Sequence, residues 1–82
     1  METESQITQL KTVKIFKTNT RNDKDAAKIV TSLLTIYPLY KINFDLEDGD
    51  NILRVEADQF EIETDHIIKY MVDLGYSCEV IE

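Results

Sequence analysis

One cysteine, one proline, two glycines and no tryptophan occur among the 82 residues of this chain. With Cys78 alone, no disulfide can close within one chain and no thiolate-built tetrahedral zinc site can form in it. With only Gly49 and Gly75, a glycine-rich phosphate loop cannot be assembled, which excludes nucleotide binding by that device. No apolar run approaches the roughly 18 residues that a membrane span requires. Positive charge is scarce too: nine Lys and Arg stand against sixteen Asp and Glu, a formal charge of −7. Such a chain repels a phosphate backbone and has little with which to drive counterion release, so nucleic acid is not expected as a partner. The opening Met1-Glu2-Thr3-Glu4-Ser5-Gln6 is acidic and polar where a secretory signal is basic and then apolar. The expectation is a soluble, cytoplasmic protein with no membrane partner.

What is present is enough apolar residue, 43%, to fold one small core. Residues 1–10 read as a flexible N-terminal arm and 11–82 as a single domain. From Thr12 to Lys17, Val13 and Ile15 alternate with Lys14 and Phe16, a half-buried strand in which Phe16 breaks the pattern and marks a bulge or a contact face. Asn22, three residues before Asp25, forms a capping signal for a first helix. Its apolar stripe is Ala26, Ile29, Val30, Leu33 and Ile36 or Tyr37, and Pro38 ends it.

Ile42, Phe44 and Leu46, then Leu53, Val55 and Ala57, alternate with polar residues on either side of the turn formers Glu47 to Asn51, which predicts a hairpin. Ile67, Ile68, Met71, Val72 and Leu74 form a second amphipathic helix, capped near Thr64 and stopped at Gly75, and Cys78, Val80 and Ile81 make a last strand. Strand, helix, strand, strand, helix, strand is the split βαβ pattern. The predicted fold is α+β, a ferredoxin-like βαββαβ sandwich with a four-stranded antiparallel sheet and two helices on one face.

From Val13 to Ile81 the chain resembles a heavy-metal-associated domain, the fold of copper chaperones. The likeness is carried by Ile29, Leu33 and Ile36, by Leu39-x-x-Ile42-x-Phe44-x-Leu46, and by Ile67-x-x-x-Met71-x-x-x-Gly75-Tyr76. Counted back from Leu39 without gaps, the thiols of the family's Met-x-Cys-x-x-Cys loop fall at Asn22 and Asp25, and its methionine at Thr20. An amide and a carboxylate are hard donors with little affinity for Cu(I), so the resemblance is to a cysteine-less bacterial relative with a degenerate metal site. Asn22 and Asp25 are expected to act as helix-capping residues, with no metal or other cofactor bound. The resemblance also places Tyr76 beside the 18–25 loop.

Other candidate sites carry less. His66 flanks the second helix beside Glu63 and Asp65 with no nucleophile paired to it, so no acid–base catalysis is expected. Asp45, Glu47, Ile52 and Glu56 hold calcium-loop places, but Gly49 is fifth where the sixth place needs glycine, and the flanks read as strands. Cys78 shares its parity with Tyr76 and Val80, which predicts a buried, unreactive thiol. The resulting expectation is a non-enzymatic interaction or regulatory module, monomer or weak homodimer, that meets another protein through Phe16, Tyr37, Phe60 and Tyr76. Two alternatives use the same chain differently: a carrier of a harder ion or small ligand at the Thr18 to Asp25 loop through Asp23, Asp25 and Tyr76, or a small-molecule-sensing regulatory domain supported by fold analogy alone.

Overall fold

Apolar residues recurring at two-residue steps in four segments and at three- and four-residue steps in two others build one sheet and two helices. The computed structural model describes residues 11–46, 51–58 and 60–81. The elements are β1 (Lys11–Thr18), α1 (Asp23–Ile36), β2 (Lys41–Asp45), β3 (Ile52–Asp58), α2 (Thr64–Asp73) and β4 (Cys78–Val80). The strands form one antiparallel sheet in the order β2-β3-β1-β4, so β1 and β3 are central and β2 and β4 lie at the edges. This is the predicted α+β, ferredoxin-like arrangement. The predicted arm, residues 1–10, and the hairpin tip, 47–50, lie outside the described residues.

Both helices cover the same sheet face. Ile29 and Leu33 from α1, and Ile67 and Met71 from α2, join one buried cluster with Phe16, Ile42, Leu53 and Val55. The buried positions of α1, Ala26, Ile29 and Leu33, are spaced three and four apart, which puts them on a single stripe. Asn22 caps this helix: its Oδ1 accepts the Asp25 N–H at 2.9 Å, and its Nδ2 donates to Asp25 Oδ2 at 3.2 Å. At the other end the Tyr37 N–H bonds Leu33 O at 2.7 Å, and Pro38 prevents a further turn. Gly75, at φ +100°, takes the left-handed turn that stops α2.

The parity of β1 is the reverse of the expected one. Phe16 is fully buried and paired with Leu53, whereas Val13 is 41% exposed. Residues two apart on a strand share a face, so Phe16 and Thr18 point into the helix-covered side while Val13 and Ile15 point to the open side. Burying the Phe16 side chain contributes about 1.5 to 3 kcal/mol to the core. Phe16 is therefore a core residue, not part of a contact face.

Candidate functional site

Sheet register sorts the candidate residues to two ends of the molecule. Lys11 pairs with Asp58 at one end of β1, and Thr18 pairs with Cys78 at the other, about 23 Å along an eight-residue strand. The Tyr37 to Tyr40 connection precedes Lys41, which pairs with Glu56, and Phe60 follows Asp58, so both lie at the Lys11 end. Tyr76 precedes Cys78, and the Ser77 N–H bonds Asn19 Oδ1 at 2.9 Å, which holds that segment at the Thr18 end. Of the four residues assigned to one contact face, the structure brings together only Tyr37 and Phe60. Phe16 is in the core and Tyr76 is at the far end.

At the Thr18 end, the β1–α1 loop is closed by its own side chains. Thr18 Oγ1 donates to Asn51 O at 3.0 Å and accepts the Thr20 N–H at 3.1 Å. Thr20, at the position where the resemblance places methionine, is fully buried, and its Oγ1 has no hydrogen-bond partner. Asn22 and Asp25 are engaged with each other in the cap. Partial burial, then the charge of the nearby Asp25 carboxylate and a hydrogen bond to it, raise the Tyr76 hydroxyl above its ordinary pKa. Tyr76 does therefore face this loop. Among the described residues, no three His, Cys, Asp or Glu side chains converge as a metal-holding group. Cys78 is half-buried, and burial, with a smaller contribution from Glu79, pushes its thiol up to about 11.

At the Lys11 end, the segments 37–40 and 60–63 enclose an open groove of about 450 Å³. Its floor is aromatic. Tyr40 stacks on Tyr37 with ring centroids 4.7 Å apart at 10°, and on Phe60 with centroids 6.0 Å apart at 22°. Tyr40 itself is buried; Tyr37 is half-buried and Phe60 is exposed. Ile36, Pro38 and Leu39 complete the apolar wall, and Leu39, at 74% exposure, is the most open large apolar side chain described.

The Tyr40 hydroxyl ties the two segments together. It accepts the Glu63 N–H at 2.9 Å and donates to Glu61 O at 3.4 Å. The carboxylates of Glu61 and Glu63 are exposed at the rim. Burial raises the Tyr37 hydroxyl pKa, and Tyr40 and the Glu63 charge add to the shift. His66 Nδ1 stands 3.7 Å from Glu63 Oε1 on the exposed side of α2.

Sequence reasoning found Tyr37 and Phe60 but missed Leu39, Tyr40, Glu61 and Glu63. The usable signal was two tyrosines flanking Pro38-Leu39 at a helix end, where a continuing core stripe has no room. No family model matches this chain, and no curated protein or solved structure matches it either.

Proposed function

We propose that this protein is a non-catalytic interaction module that binds an extended segment of another protein in the aromatic groove between residues 37–40 and 60–63. The observation that carries the reading is the exposure of Leu39 and Phe60 beside a ring stack that is itself fixed by two backbone hydrogen bonds. A preformed apolar floor with a few placed polar groups is the usual form of a binding cleft. Keeping it open to water costs free energy that a partner side chain recovers. Among the described residues the groove is lined by no histidine, cysteine, serine or threonine, which favours binding over catalysis. A lone cysteine and an acidic composition are compatible with work in the cytoplasm. No helix among the described residues is long and apolar enough to cross a membrane.

Selection from a displayed library of random nonapeptides tests the reading. Enriched peptides should bind the wild-type protein and lose binding to the Leu39→Asp variant, whose fold is checked by circular dichroism. Enriched peptides that bind both proteins equally would place recognition elsewhere and overturn it.

A further inference from the structure

We infer that the groove selects an arginine side chain of the partner segment, with the guanidinium lying on the exposed ring of Phe60 and the carboxylates of Glu61 and Glu63 accepting its N–H groups. This rests on the groove reading above and gives that site its ligand chemistry. Phe60, the exposed ring of the stack, supplies a negative face that attracts a cation, and a planar guanidinium lies flat on it as a compact ammonium cannot. The rim supplies two carboxylates from residues two apart on one connection. Charge complementarity extends beyond the rim, since the whole chain carries −7 and repels an acidic segment.

Among the described residues, no Lys or Arg lines the groove. Lys69, on the neighbouring turn of α2, already pairs with Asp73 at 3.5 Å, and Lys11 pairs with Glu56 at 3.1 Å. His66 leans on Glu63 from outside the groove, leaving Glu61 free of any such neighbour among the described contacts. The rigid attachment of the rim also matters. Because the Tyr40 hydroxyl holds the backbone of both Glu61 and Glu63, the acceptors are positioned before the ligand arrives, which lowers the ordering cost of binding.

Positional-scanning nonapeptide pools, with one position held as Arg, Lys, citrulline or Glu and the rest randomised, provide the test on immobilised full-length protein. The Arg pool should be retained about fivefold to tenfold better than the Lys pool, and the citrulline and Glu pools less than either. The Glu61→Gln, Glu63→Gln double variant, exposed at both positions, should stay folded and lose most of the Arg preference. The Phe60→Ala variant should lose retention of every pool. Equal retention of the Arg, Lys and citrulline pools, with loss on Phe60→Ala, would overturn the arginine assignment and leave the groove reading standing. Retention of no pool in a Phe60-dependent way would overturn both.

Discussion

The hydroxyl of Tyr40 accepts the backbone N–H of Glu63 at 2.9 Å, a bond that joins the α1–β2 connection to the start of α2 across 23 residues of chain. The Tyr40 ring meanwhile lies on Tyr37 and Phe60, so one side chain both forms the groove floor and ties down its rim. Tyr40→Phe separates the two roles. The stack survives, but a part-buried N–H loses its acceptor, and stability is expected to fall by about 1 to 2 kcal/mol in a urea titration. Amide exchange at Glu63 should quicken in the same variant. Unchanged stability together with unchanged exchange would show that the rim is held by something else.

Core truncations separate the buried stripes from the helix surfaces. Leu33→Ala and Ile67→Ala each remove a fully buried side chain and are expected to cost about 2 to 5 kcal/mol. That is a large share of the stability of so small a domain. Val72→Ala, at a position 54% exposed on α2, should change stability by less than about 0.5 kcal/mol. Chemical denaturation of the three variants reads the contrast, and equal effects at Val72 and Ile67 would mean that α2 presents a different face to the sheet.

Thr20 offers the opposite sign. Its Oγ1 is buried without a hydrogen-bond partner, so the hydroxyl loses its hydration on folding and gains nothing in return. Thr20→Val keeps the shape and removes the polar atom, and is expected to stabilise the fold by about 1 kcal/mol. A loss of similar size on thermal or urea unfolding would show that the hydroxyl is bonded in solution.

The order of elements, the centres of both helix stripes and the Asn22 cap were legible because each depends on local spacing and local hydrogen bonds, whereas Ile36, Val72 and Leu74, expected on those stripes, are exposed. The parity of β1 was not, because Val13, Ile15 and Phe16 put apolar residues on both faces and a period of two carries no sign. The choice shows only in the pairing of Phe16 with Leu53 and their shared place in the buried cluster. The grouping of Tyr37, Phe60 and Tyr76 failed for a different reason. In this topology the β1–α1 loop and the C-terminal end of α1 lie at opposite ends of the sheet, so Tyr37 and Tyr76 could have been separated by chain direction alone. The groove depends on the β2–β3 register, which brings together segments about twenty residues apart, and no local pattern announces that.

Cys78 links stability to pH. Its folded pKa is raised by burial to about 11, above the ordinary value of 9.0, so the unfolded chain releases the thiol proton first as pH rises. The folded state then holds more protons, and stability falls with pH. The contribution is fully present below about pH 9 and is lost through about pH 11. Cys78→Ser should flatten that part of the curve of urea midpoint against pH. In native buffer at neutral pH the thiol should react slowly with a disulfide reagent, and quickly in denaturant. Rapid native labelling would contradict the half-buried placement.

The cap of α1 tests the resemblance to heavy-metal-associated domains. Asn22 and Asp25 meet at the first turn of α1, with Asn22 Oδ1 on the Asp25 N–H, so side chains at these two positions converge at a helix N-terminus. Cysteines there would bring two sulfurs to a site whose dipole favours the thiolate form. Asn22→Cys, Asp25→Cys in a Cys78→Ser background is therefore expected to bind one Cu(I) per chain in a competition titration, because soft thiolates hold that ion and the present amide and carboxylate do not. Loss of the Asn22 cap should cost about 0.5 to 2 kcal/mol, which a domain of this size can sustain. The wild-type protein should show no such stoichiometric binding, its one thiol being half-buried and held protonated at neutral pH. A double variant that stays folded by circular dichroism yet gains no Cu(I) affinity would mean that the loop does not converge as the family's does, and the resemblance would then extend to the order of elements alone.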